Sequence, residues 1–146
     1  MPRLVLAAAI ALVAASASAA TVAPSRAQDR PDWATYDDAG ATQAIREALA
    51  ASRRESGLPD LHESAELSMG LVRSVTAAAA ADSIRDRPVP FRPKAQFFFF
   101  TASDPTRLPV LVSSMARGAH ESAVAATFRR TPRHPDGIYW VALALE

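Results

Sequence analysis

The chain has 146 residues, room for one domain and a leader, and 49% of them are apolar. Sixteen basic against fifteen acidic side chains leave a net charge of +1, so there is no electrostatic footprint for nucleic acid. Cysteine is absent, which excludes disulfides, thiolate metal ligands and a cysteine nucleophile.

Met1-Pro2-Arg3 gives a short positive end, followed by an apolar stretch from Leu4 to Ala15 and the small-x-small triplet Ala17-Ser18-Ala19. This is the pattern of a cleaved secretory signal, residues 1–19, with a second acceptable end at Ala27 after Ser25-Arg26. An Ala-rich run this short is marginal for crossing a bilayer core of about 30 Å, so stable membrane insertion is not expected after cleavage. Arg3 is the only charged residue removed with 1–19, which leaves fifteen basic and fifteen acidic groups. A neutral, cysteine-free mature chain suits a bacterial periplasm or the exterior.

Residues 20–36 read as an N-terminal arm without periodicity, which Trp33 and Tyr36 would pin to the body by burying their rings. The domain proper spans 37–146. Asp37 or Asp38 caps a first helix with Ala41, Ala44, Ile45, Ala48, Leu49 and Ser52 on one stripe. Gly57 and Pro59 end it. A second helix runs from Ser64 to about Ala81, burying Leu67, Leu71, Val72, Val75, Ala78 and Ala79, with Arg73 and Ser74 partly off that face. Gly70 within it suggests a close approach to a sheet.

Asp82 to Lys94 is Pro-rich and basic, a solvated connection or a contact for an anionic surface through Arg85, Arg87, Arg92 and Lys94. Gln96 to Thr101 carries four consecutive phenylalanines; alternation puts Phe97 and Phe99 on one face and Phe98 and Phe100 on the other, both needing cover. Pro105 starts a turn, and a short helix begins near Pro109 and ends about Arg117-Gly118. A last helix is expected over His120 to Phe128, with Ala123, Val124, Thr127 and Phe128 inward. After a Pro135-Asp136-Gly137 turn, Ile138 to Leu145 is apolar on both faces: Ile138, Trp140, Ala142 and Ala144 on one, Tyr139, Val141, Leu143 and Leu145 on the other. The expected fold class is therefore α+β, a three-layer α-β-α sandwich around a small central sheet.

The order of three motifs resembles the CAP superfamily (cysteine-rich secretory, antigen 5 and pathogenesis-related 1 proteins), in its bacterial secreted branch. Arg53 to Leu61, RRESGLPDL, with the later Leu67, is similar to the family's R-x-x-x-G-L-x-x-L opening; Ser103 to His120 resembles its helix ending in a G-H step; Asp136 to Val141, DGIYWV, resembles its closing D-G-x-Y-W-V strand. Together they cover about residues 40–145. Members with a metal-binding cavity are expected to present two histidines and two acidic residues. Only His120 stands at a matching place. The second-helix histidine falls near Ser74, the Glu-Asn of the first central strand falls within Phe97 to Phe100, and the stretch from His120 to Gly137 is short for the family's paired strand before the last. The resemblance thus implies a degenerate member whose metal ligands are mostly gone.

The three histidines are weighed separately. His62-Glu63-Ser64-Ala65-Glu66 lacks the second histidine of a zinc-peptidase motif. His134 sits between Arg133 and Pro135 in a turn and reads as solvated. His120, at an expected helix start with Glu121 beside it and Ser113 and Ser114 one helix earlier, is the candidate for accepting a proton or ligating a metal, since a helix N-terminus favours the neutral ring, against the competing reading of a structural histidine bonded to neighbouring backbone. No G-x-S-x-G nucleophile motif accompanies it.

Two function classes follow. One is a non-catalytic binding or interaction module in the envelope or exterior, holding a lipid, an envelope fragment or a protein partner in a groove with Ser74, Ser113, Ser114 and Tyr139 as candidates. The other is a hydrolase or metal-dependent enzyme using His120 and Glu121. No residue pattern calls for a cofactor, and no metal-ligand set is assigned.

Overall fold

The computed structural model describes residues 30–146. The expected signal, with both candidate ends, and the first part of the arm lie outside the described residues. Those described form a mixed α/β unit of three α-helices and a four-stranded sheet: α1 (Asp38–Glu55), β1 (His62–Glu63), α2 (Ala65–Ala80), β2 (Gln96–Ala102), α3 (Val110–Met115), a 3₁₀ turn (Ala116–Gly118), β3 (Glu121–Arg129) and β4 (Ile138–Leu145).

Both long helices are started by the caps their sequences carry. Asp37 accepts the Gly40 N–H at 2.6 Å, and the Ser64 hydroxyl accepts the Leu67 N–H at 3.4 Å. Helix α1 buries Ala41, Ile45 and Leu49 at four-residue spacing, then Arg53; the expected Ser52 is only half-buried. Gly57 follows at φ +71°, the left-handed step that ends the helix. Helix α2 buries Leu67, Leu71, Val75, Ala78 and Ala79 as expected, but Ser74 takes the inward place and Val72 points out. Two hydrogen-bond acceptors on and beside the helix make the serine tolerable inside. The close approach at Gly70 is to Pro90, whose Cγ lies 2.5 Å from where a Cβ would stand, so the glycine accommodates the Pro-rich connection and not the sheet.

The strand order is β1-β3-β4-β2, with β3-β4 and β4-β2 antiparallel and β1-β3 parallel. Strand β4 is paired along both edges, Phe98 and Val124 both standing opposite Leu143. Its alternation divides two cores. Tyr139, Val141, Leu143 and Leu145 join Ile45, Leu49, Val112, Val124 and Phe128 in one; Trp140, Ala142 and Ala144 join Leu67, Leu71, Val75, Ala123 and Ala125 in the other. Alanine dominates the sheet positions of the second core, which lets α2 lie close against the strands.

The phenylalanine run behaves as its alternation requires, Phe98 and Phe100 against the first cluster and Phe97 and Phe99 against the second. All four are half-buried and not fully covered, because β2 is the edge of the sheet. Arg87 lies over the Phe99 ring at 3.8 Å and covers part of it.

The helix expected over His120 to Phe128 is instead strand β3. Its seven central residues, Ser122 to Phe128, are all buried, so a stripe picked at three- and four-residue spacing describes only four of the seven that are covered. Pairing along the whole of β4 decides against helix despite the alanines.

Beyond the two-residue β1, α1 side chains meet the outer edge of β3. Thr42 Oγ1 accepts the Ala126 N–H at 3.1 Å, and Asp38 Oδ1 accepts the Phe128 N–H at 2.9 Å. Asp38 Oδ2 also receives the Thr127 hydroxyl at 2.7 Å and Arg129 Nη1 at 3.3 Å. Donors that would leave the strand open to another chain are thus satisfied internally.

The end of the arm is fixed by its backbone. Tyr36 donates its N–H to the Tyr139 hydroxyl at 3.0 Å, and the same hydroxyl donates to Tyr36 C=O at 2.8 Å. Trp33 packs edge-on against Phe128 at 5.7 Å but is 43% exposed, contrary to the expected burial.

Candidate functional site

His120 does not open a helix. It sits in a bend between the 3₁₀ turn and the start of β3, and its side chain is exposed. The helix-terminus argument for a neutral ring therefore does not apply. What holds the residue is its main chain: its N–H donates to Glu146 C=O at 2.6 Å, and its C=O accepts the His62 N–H at 2.9 Å. Glu121 exchanges both backbone bonds with Glu146, at 2.9 and 3.0 Å. Its carboxylate faces Arg92 Nη2 at 3.7 Å, and Arg92 Nε reaches Glu146 Oε2 at 3.2 Å. Arg92 thus anchors the basic connection to the C-terminal end of β4.

The other candidates are dispersed. Ser74 is fully buried, its Oγ within reach of Gly70 C=O at 3.0 Å and of Pro88 C=O, donating to one at a time. It clamps the Pro-rich connection onto α2. Ser113 is half-buried on α3, and Ser114 is exposed. Tyr139 is buried in the first core with its hydroxyl engaged by Tyr36; burial pushes its phenol above the usual 10.0, against the opposing Tyr36 backbone bond and the Arg30 charge. No hydrogen bond joins His120 to either serine among the described residues. His62 forms the exposed strand β1 with Glu63, whose carboxylate pairs with Arg46. Among the described residues no group of three or more His, Asp or Glu is placed to hold a metal ion.

Of the candidates, Ser74 borders a concavity of about 350 Å³ between α2 and the Pro-rich connection, and Ser114 lines a separate groove. The groove at Ser114, of about 360 Å³, is bounded by Lys94, Gln96, Met115, Leu145 and Glu146 as well. Beside it, α3 turns an apolar side outward: Val110 is 87% exposed, Leu111 62%, and Met115 is exposed as well. Only Val112 of this helix enters the core. Arg107 and Arg117, at either side of the helix, are exposed too.

Two features went unread in the sequence. Arg53 is buried, its Nε donating to Pro59 C=O at 2.7 Å and its Nη1 to Ala116 C=O, so one guanidinium ties the chain after α1 to the 3₁₀ turn. Its place four residues after Leu49 on the buried stripe was the available signal. The second is the end of α2. There Asp82 takes φ +50° while its N–H and that of Ser83 bond back to Ala79 and Ala78 C=O at 3.2 and 3.0 Å, the place usually given to glycine. Its Oδ2 accepts the Arg133 N–H at 2.9 Å across 51 positions. Partial burial works to raise its carboxyl pKa, but hydrogen bonds from Thr131 and Arg133 and the charges of Arg133 and His134 outweigh it and hold the group below the usual 3.8. His134, expected to be merely solvated, is half-buried and meets the Trp140 ring edge-on at 5.9 Å.

Comparisons with family models, with curated proteins and with solved structures found no match.

Proposed function

We propose that the chain is an exported, degenerate CAP-like protein of α-β-α type, acting as a non-catalytic binding module in the cell envelope or exterior. The leader pattern of residues 1–19 supports export. Two apolar clusters that share the alternate residues of β4 support the three-layer reading. The β3-β4 pairing supports the CAP likeness, supplying a strand that the motif order alone did not promise before the DGIYWV segment.

The observation that carries the binding reading is the outward apolar side of α3, next to the groove bounded by Lys94, Ser114 and Glu146. Large apolar side chains grouped beside a concavity mark a contact surface more often than an accident of packing. The ligand classes it suits are a lipid, an envelope fragment or a protein partner. The double variant Val110→Asp, Leu111→Asp tests it: both side chains are exposed, so the melting temperature should stay within about 3 °C. Association of the protein with an envelope fraction should fall at least tenfold. Unchanged association with unchanged stability removes α3 from the account.

A further inference from the structure

A second concavity, of about 610 Å³, lies at the opposite end of β4, between the end of α2, the end of β2 and the turn joining β3 to β4. Asp82, Arg85, Thr101, Arg133, His134 and Trp140 line it. We propose that this cleft is a binding site for a small oxyanion, phosphate first.

The cations are the first observation. Several arginines of the body have partners: Arg46 pairs with Glu63, Arg92 with Glu121 and Glu146, Arg107 with Asp104, Arg129 with Asp38, Arg53 bonds two carbonyls and Arg87 covers Phe99, while Arg54, Arg73, Arg117 and Arg130 stand singly on the surface without a partner among the described residues. The guanidinium groups of Arg85 and Arg133 have no hydrogen-bond or ion-pair partner among the described residues, and both side chains are exposed at the same cleft. Guanidinium donors are shaped for the paired oxygens of phosphate.

Trp140 is the second. It is 2% exposed, lines the cleft, and its indole N–H has no hydrogen-bond partner among the described residues. A buried donor left unpaired is uncommon in a folded protein and points to an acceptor supplied from outside the chain.

The walls are also fixed in advance. The turn is closed by reciprocal Thr131 and His134 backbone bonds at 3.1 and 3.0 Å, and Asp82 ties it to α2 through the Arg133 N–H. Among the described residues Asp82 is the one carboxylate lining the cleft; its Oδ2 is engaged in that tie, its Oδ1 has no hydrogen-bond partner, and two guanidinium groups outnumber it. An L-residue held at positive φ where glycine is the ordinary choice is explained by the carboxylate it brings.

The test is a titration of the ¹⁵N-labelled protein with sodium phosphate at constant ionic strength, following the two indole N–H signals. Trp140 should shift saturably while Trp33 does not, and acetate should bind at least tenfold more weakly. The double variant Arg85→Ala, Arg133→Ala should lose at least tenfold in phosphate affinity with the fold intact. Lys94→Ala, at the other groove, should leave the titration unchanged. Absence of a saturable Trp140 shift, an equal response to acetate, or undiminished binding in the arginine double variant would each overturn the assignment.

Discussion

The Tyr139 hydroxyl both accepts the Tyr36 N–H and donates to the Tyr36 C=O, at 3.0 and 2.8 Å, so a single phenol replaces the two strand partners that this stretch of arm lacks. Tyr139→Phe removes both bonds without changing the ring packing against Phe128. The arm backbone is then left to partial solvation, and the variant should be less stable by about 1–3 kcal/mol in urea unfolding. Amide exchange at residues 34–36 should rise with it.

The same hydroxyl gives an alkaline signature. Burial raises the folded phenol above 10.0, so the folded state holds its proton more tightly than the unfolded chain. Stability from this group is fully present below about pH 10 and is lost as pH rises through the folded value. Wild type should therefore lose more stability than Tyr139→Phe between pH 9 and pH 11, as read by denaturant midpoints.

The two positive-φ glycines should respond very differently. At Gly137, φ is +87° and a Cβ would stand 2.1 Å from Phe128 Cζ. Strain and collision with a buried ring together predict a loss of about 2–4 kcal/mol for Gly137→Ala. At Gly57, φ is +71° but nothing lies within 4 Å. Gly57→Ala should cost only about 1 kcal/mol, the conformational part alone. Thermal melts of the pair make the comparison.

Asp38 protects the free edge of β3 by receiving the Phe128 N–H, the Thr127 hydroxyl and Arg129 Nη1. With its side chain about a third exposed, Asp38→Ala should cost a modest 1–2 kcal/mol or so. Its larger effect should be on association. The unsatisfied strand edge should raise the aggregation rate, measured by light scattering at matched temperature below the transition.

How legible this was in the sequence depended on whether a segment carried one periodicity or two. Helix α1 carried one stripe and cap residues at both ends, and β4 carried apolar residues on both faces between a Pro-Asp-Gly turn and the chain end. Strand β3 carried SAVAATF, in which alanine fits either element, and only the partner along β4 decides between them. The helix misassignment then misled the reading of His120, since a strand threshold offers no helix dipole to its ring. The polar cleft was not legible for a different reason. Its walls come from residues 82–85, 101, 133, 134 and 140, segments joined by tertiary packing and by a positive-φ aspartate that no spacing rule announces.

The claim at the centre, a binding module without metal chemistry, meets its most direct test in native mass spectrometry of the protein purified from its own cell envelope, read alongside zinc analysis. The account predicts a retained non-covalent lipid, envelope fragment or protein, lost in the Val110→Asp, Leu111→Asp variant. Stoichiometric zinc that disappears in His120→Ala would contradict it.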